Sequence, residues 1–406
     1  MDDLTKLLKE IKITEKETKE TKETKETKET KETKETKETK ETKITEKEEK
    51  EKEEKEKINE TKLFQKYKST YSAAFADLGQ HALFLYGAFY AMYYFKESYM
   101  TIFTIPVLNF LLVRTFIVFH DCQHESYTPS PIINNILSHM LGVLVLTSPN
   151  WLLDHHTHHL TNGNIENKYN YKFNELLYWN VNEYKKYDKK YKIIFRFFRR
   201  PIVFFTFFPI LYFFIVHRFI YVTKKLSYKD KLNSSMLVIV RNHLINNCGI
   251  IIYAYHAYKY GILYHCLLSL YLNFIIGFLL FFNQHTYNPA YIVGNDEWSQ
   301  KNSGIIGSSF IQIPWFLKYF FMGIEYHHIH HMNSKIPGYN MQEYHEEVVK
   351  QSNLFDSITK LSLWDCYQNL WLFLYDEDTK RYITMDEMDK MDKMDKIDKM
   401  DKTKKE

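Results

Sequence analysis

Cysteine is scarce in this chain, with four in 406 residues, and no two of them form a CxxC pair. Cys122, Cys248, Cys266 and Cys366 lack the spacing of a disulfide framework, so a reducing compartment is compatible with them. The formal net charge of +4 is too small to argue for nucleic acid, and no basic stripe accompanies a base-reading motif. No cleavable signal peptide is expected, because charged residues stand where its apolar core would lie; membrane insertion then has to use internal segments. The HExxH of zinc proteases is absent, and so are the Glu and Glu-x-x-His ligands of soluble di-iron bundles. No HPGG haem-binding motif occurs, so no fused haem domain is expected and any electron supply has to come from a separate protein.

What is present divides into three parts. Residues 1–62 are built from Lys, Glu and Thr with KET repeated, and the C-terminal segment 376–406 carries an MDK repeat from 385 onward. A period of three sets like charges at i and i+3 on a helix, and with little apolar surface to bury both tails are expected to be disordered. Between them, residues 63–375 are dense in Phe, Tyr, Leu and Ile and read as a membrane domain. Four stretches have the roughly 20 apolar residues that a spanning helix needs: 73–95, 100–119, 236–258 and 262–282. Two more, 132–149 and 202–222, are interrupted by polar residues. Basic flanks favour the cytosol, and 202–222 has them on both sides, so it reads as re-entrant or interfacial. The expected fold is therefore an all-α integral membrane protein. It has about four transmembrane helices in two hairpins, re-entrant or interfacial helices, a cytosolic helical cap, and both termini in the cytosol.

Histidine carries the chemistry. His120 and His124 lie in HDCQH; His155, His156, His158 and His159 in DHHTHHL; His327, His328, His330 and His331 in EYHHIHHMN. Ten of the chain's 18 histidines fall in these windows, and His285 in FFNQHT lies just beyond the last spanning stretch. The orientation drawn from Lys and Arg alone puts all of them on one side of the membrane. Residues at i, i+3 and i+4 share a helix face, so HxxHH points three imidazoles at one place and HxxxH points two. His120, His124, His155, His158, His159, His285, His327, His330 and His331 then offer nine nitrogens, too many for one ion and suited to two. His156 and His328 occupy the spacer position and are expected to support the ligands from behind. His81, His139, His243 and His256 stand alone and read as packed or interfacial side chains. Neutral imidazole takes iron, zinc, copper or nickel. A structural zinc site uses four ligands; nine at a membrane surface suit a pair of oxygen-activating irons, and spacing alone leaves other redox metals open.

With these motifs in place the sequence resembles the histidine-box membrane fatty acid desaturases, especially the acyl-lipid branch. The likeness covers roughly residues 70–345 and rests on HDCQHESYTPSP, HHTHHLTNG and GSSFIQIPWFLKYFFMGIEYHHIHHMNSKIPGYN, with the QH of His285 between the second and third boxes. The resemblance implies a di-iron centre ligated by the nine histidines, and a narrow tunnel for a bent acyl chain. It also implies O2 as co-substrate, and ferredoxin or cytochrome b5 as electron donor. It makes Asp121, Asp154, Asn283 and Gln284 candidates for orienting the imidazoles. Gln123 stands where the family usually has a small residue, an expected narrowing of the site. Phe116, Phe119, Phe278 and Phe282 are candidate tunnel walls. The partners expected are an acyl-lipid or acyl-CoA substrate, the membrane and the separate donor. Two rival readings accompany this one: a di-iron hydroxylase or ketolase acting on alkyl or carotenoid chains, and a histidine-rich metal transporter. The latter needs metal-binding residues along a crossing path, whereas these clusters lie outside the apolar stretches.

Overall fold

A computed structural model describes residues 61–166, 179–220 and 236–403. The chain divides into two units, Met1–Lys66 and Tyr67–Glu406. In the first, only residues 61–66 are described, as a short helical stretch; the expectation of a disordered tail over 1–60 lies outside the described residues.

The second unit is mainly helical. Helix α1 (Tyr71–Phe95) starts at Thr70, whose side chain accepts from the Ala73 N–H at 3.2 Å, and α2 (Thr101–Gln123) follows after a short polar turn. Next come α3 (Pro131–Leu144), a 3-10 turn at Pro149–Trp151 and α4 (Leu152–Thr161). Then α5 (Val181–Lys186), α6 (Lys189–Phe198) and α7 (Pro201–Ile210) lead into a π-helical stretch at Leu211–Ile220. Two long helices, α8 (Met236–Lys259) and α9 (Leu263–His285), form the second hairpin. The rest consists of short pieces: α10 (Gln300–Ile305), α11 (Lys318–Phe321), α12 (His327–Met332), α13 (Gly338–Gln351) and α14 (Leu363–Asn369). A longer helix, α15 (Met385–Thr403), closes the described chain. Small strands tie these pieces together. β2 (Phe310–Ile311) pairs in parallel with β3 (Lys360–Leu361), and β1 (Trp179–Asn180) pairs in parallel with β4 (Leu374–Asp376), which runs antiparallel to β5 (Arg381–Ile383).

Three helices, α2, α8 and α9, are long and apolar enough to cross a membrane, and two bent pairs raise the number to as many as five. Helix α1 has the length, 25 residues, but five tyrosines together with Asp77, Gln80 and His81 lower its hydropathy below that of the other three. Three of the four expected stretches are thus helices long and apolar enough to span, and the first is a long helix of more polar composition. Each interrupted stretch adjoins a sharp bend: α3 turns by 105° into Pro149–Thr161, and α6 turns by 77° into Pro201–Ile215. The basic flank after 222 that supported a re-entrant reading lies outside the described residues.

The first bend positions chemistry. Leu146 adopts a left-handed φ of 51°, and a Cβ on Gly142 would meet the Thr147 carbonyl at 2.3 Å, so only glycine lets the chain fold back this tightly. Helix α8 pins the turn: Asn246 donates to Thr147 O (3.2 Å), and Asn150 donates to Ile239 O (2.8 Å) and accepts from Asn242 (3.1 Å). Helix α4, with its histidines, is thereby held across the ends of α2 and α9.

Over the described residues 376–403 the disorder expected at the C-terminus is corrected. Met388 is fully buried with Tyr184, Phe195, Leu374 and Ile383, with Met385 and Met391 packed alongside. Arg196 donates to both carboxylate oxygens of Asp389 (2.6 and 2.8 Å), and Lys185 to Asp395 (2.7 Å). The methionines at every third position supply an apolar stripe that a reading of charge alone undervalued. The β4–β5 hairpin also moves the ordered unit past 375.

Candidate metal centre

The last turn of α2 carries His120, and His124 caps it. Helix α9 ends on His285, while α4 and α12 each present an HxxHH. All nine histidines are buried. Their ligand-side nitrogens gather into two groups: His120, His124, His155 and His330 in one, and His158, His285, His327 and His331 in the other. In the first, Nε2 of His120 lies 2.9 Å from that of His155 and 3.1 Å from that of His330. In the second, Nε2 of His285 lies 3.0 Å from that of His158 and 2.9 Å from that of His327. His159 adjoins both groups: its Nε2 is 3.0 Å from that of His155, and its ring stacks on His331 at 4.2 Å.

This arrangement corrects the expectation that each HxxHH converges on one place; both are shared between the groups, while His120 and His124 fall together in the first. Positions i and i+4 lie about 40° apart around a helix axis, while i+3 falls about 60° to the other side. Helix α4 therefore turns His155 and His159 toward the first group and His158 toward the second. Helix α12 does the reverse, with His327 and His331 in the second group and His330 in the first. Two short helices of the same spacing, facing each other, complete two centres that neither could build alone.

The donor set fits metal ions. Nitrogens bonded to one ion at about 2.1 Å lie roughly 3.0–3.4 Å apart at octahedral or tetrahedral angles, close to the 2.9–3.4 Å between the paired Nε2 atoms here. Protons alone serve this geometry poorly, because His120, His155 and His330 sit mutually within 3.4 Å and a shared proton satisfies one pair at a time. Among the described residues, Nε2 of His124 is buried with no hydrogen-bond partner, a costly arrangement unless a cation takes it. Burial first, then neighbouring imidazoles, holds His327, His330 and His331 well below the ordinary histidine range, so they are neutral and ready to ligate.

Some supports are visible. His120 donates from Nδ1 to Asp121 Oδ1 (3.1 Å), and Oδ2 of the same carboxylate accepts from the Gly338 N–H (2.6 Å). His285 donates from Nδ1 to the Gly307 carbonyl at 2.9 Å, which turns Nε2 of each ring inward. Other expected supports face elsewhere. His156 is exposed. His328 is buried but pairs with His345 (3.1 Å) beneath Phe355. Asn283 donates to Leu279 O within its own helix (2.9 Å), and Gln284 to Ile324 O (3.0 Å). Asp154 is half-buried in the first turn of α4. Gln123 lines a separate recess with Asn135 and Asn242, so it does not narrow the histidine site.

An apolar cavity reaches this centre, with His120, His155 and His327 in its wall. Phe116 and Phe278 line it as expected, while Phe119 packs in the core and Phe282 against Phe204, Phe205 and Phe373. Sequence reasoning missed Trp151, Tyr212, Phe213, Asn273, Gly277 and Ile324 in the lining. It also passed over Glu325, buried with Oε2 lacking a partner among the described residues and pushed up to about 7 by burial. A glycine within an otherwise apolar helix was the one available signal, at Gly277.

The family described as "Fatty acid desaturase" matches residues 97–356. A Bacillus subtilis protein named "Fatty acid desaturase" is 31% identical over 274 residues, covering 67% of this chain and 74% of the relative. The "sn-1 acyl-lipid omega-3 desaturase (ferredoxin)" of Synechocystis sp. is 32% identical over 97 residues, 23% of this chain and 25% of that protein. An "Acyl-lipid omega-3 desaturase (cytochrome b5), endoplasmic reticulum" from Arabidopsis thaliana is 36% identical over 53 residues, 13% of this chain and 14% of that protein.

Proposed function

The chain belongs to the fatty acid desaturase family, and we propose that it introduces a cis double bond into a lipid-linked or thioester-linked acyl chain at a pair of histidine-held non-haem irons. The observation that carries this reading is the meeting of two imidazole groups with the end of an apolar cavity. The net reaction takes –CH2–CH2–, O2, two electrons and two protons to –CH=CH– and two waters. When bound, the two irons supply the oxidising power that breaks two unactivated C–H bonds.

The protein's own residues supply position and exclusion. His120, His124, His155, His159 and His330 hold one ion, and His158, His285, His327 and His331 the other. Asp121 and the Gly307 carbonyl fix the ring orientation of His120 and His285. Phe116, Phe213, Phe274 and Phe278 enclose the chain and keep bulk water from the reacting carbons. Electrons come from a separate donor; relatives are named for both ferredoxin and cytochrome b5. Basic residues before α1 (Lys62, Lys66 and Lys68) favour a cytosolic N-terminus and a cytosolic metal centre.

The test is a fatty-acid methyl ester profile of yeast expressing the chain beside His158→Ala and His330→Ala. A new unsaturated ester, lost in both variants, is expected and gives the bond position. Hydroxylated or keto products would instead favour the sister oxygenase reading. Failure to produce either, from iron-loaded protein supplied with both donor types, would overturn the proposed substrate.

A further inference from the structure

The segment preceding the third histidine box runs far down the side of a membrane helix. Phe320 packs on Phe110 at 5.4 Å between ring centroids, and Phe321 on the same ring at 6.5 Å. Phe110 is the tenth residue of the 23 in α2, about 15 Å along the axis from His120 at 1.5 Å per residue. Tyr319 rests on Phe84, itself midway along α1, at 5.3 Å. Arg114, inside α2, binds both Asp77 and the Tyr319 carbonyl, and its guanidinium lies 4.2 Å from the Tyr319 ring centroid. Four contacts from two helices thus set residues 319–321 at mid-helix depth, well away from the histidine level.

The neighbouring side chains are not covered by protein. Trp315 is 84% exposed and Phe316 59%. The turn around them pairs part of its backbone locally: Leu317 N–H donates to Pro314 O (2.9 Å), Lys318 N–H to Trp315 O (3.3 Å), Phe320 N–H to Leu317 O (2.9 Å) and Met322 N–H to Lys318 O (3.0 Å). Pairing of this kind lowers the cost of placing backbone in lipid. Lys318, the charge in the turn, reaches Gln342 on α13 (3.3 Å), as a snorkelling lysine does. Parallel pairing of β2 with β3 brings the start of α14 to the same side. There Cys366 joins the cluster that includes Leu317 and Phe320, while Leu363, Trp364 and Tyr367 are exposed.

We infer that residues 313–321 form a re-entrant loop inserted into the leaflet adjoining the metal centre, with Trp315 and Phe316 in contact with lipid acyl chains and α14 lying at the interface beside it. The occupant is the bilayer itself, because the exposed rings continue the surface of α2, a spanning helix, at its own mid-depth. The inference rests on the membrane reading of that helix and not on the identity of the acyl substrate.

The experiment reconstitutes the full chain in phosphatidylcholine vesicles whose acyl chains carry bromine, and compares its tryptophan emission with that of Trp315→Phe. The difference is the Trp315 signal, expected to be blue-shifted, quenched by the brominated chains and insensitive to aqueous iodide. The double variant Trp315→Phe, Phe316→Trp moves the probe by one position and should restore the quenched component, which separates lipid contact from misfolding. A Trp315 signal quenched by iodide alone, in protein that resists carbonate extraction, would assign the surface to water or a soluble partner and overturn the loop proposal. A signal reached by neither quencher, with cross-linked dimers, would assign it to a second copy. Extraction of the whole chain by carbonate would overturn the membrane reading as well.

Discussion

At the residue scale the centre depends on how each imidazole is aimed. Asp121 holds His120 with one oxygen and the Gly338 N–H with the other, so a single carboxylate couples α2 to the segment after the third box. Removing such a support typically costs 10–100-fold in metal affinity. Asp121→Ala is expected to lower iron content in that range under limiting iron, and Asp121→Asn, which keeps the hydrogen-bonding shape, to lower it less; iron per protein after dialysis against a graded chelator measures both. The nine histidines that gather here were legible as residue types, since repetition of the HxxHH spacing is itself a signal. The partition between the two groups was not legible, because it follows from the facing of α4 and α12. The orientation of His156, Asn283 and Gln284 likewise depends on which side of each helix meets protein.

At the element scale the cavity is a property of helix faces. Gly277 lies on α9 with nothing within 4 Å of where a Cβ would stand, and it lines the cavity. A larger side chain there would fill space that the acyl chain occupies in the proposed reaction. Gly277→Leu is expected to reduce desaturation of the longest accepted chain more than of a shorter one, with iron content unchanged. Each excluded methylene is worth roughly 1–3 kcal/mol of discrimination, and competition between two chain lengths in one ester profile reads the ratio. Hydropathy located α2, α8 and α9 from the sequence. It could not foresee the 105° turn after α3, which depends on a glycine meeting a carbonyl and on asparagines arriving from α8. Nor did the MDK period announce α15, whose methionines become useful only against Tyr184 and Phe195.

At the scale of the whole molecule, clustering so many imidazoles makes the fold sensitive to acid. His327, His330 and His331 are held neutral in the folded state, whereas unfolded histidines take up protons as pH falls through about 6.5. The unfolded chain then binds more protons than the folded one, so stability is full above that pH and declines below it. Metal-free protein is expected to unfold at a lower temperature at pH 5.5 than at 7.5, and the His330→Ala variant to show a smaller drop; thermal unfolding at the two pH values checks both. The sequence by itself determined which histidines recur at i, i+3 and i+4 and where the long apolar helices lie, because helical period and side-chain chemistry are local properties. Only the tertiary structure decided how the histidines divide between two centres, which aromatics line the cavity, and that the segment before the third box runs along mid-helix. Each of these depends on contacts between residues far apart in the chain, which no local period encodes.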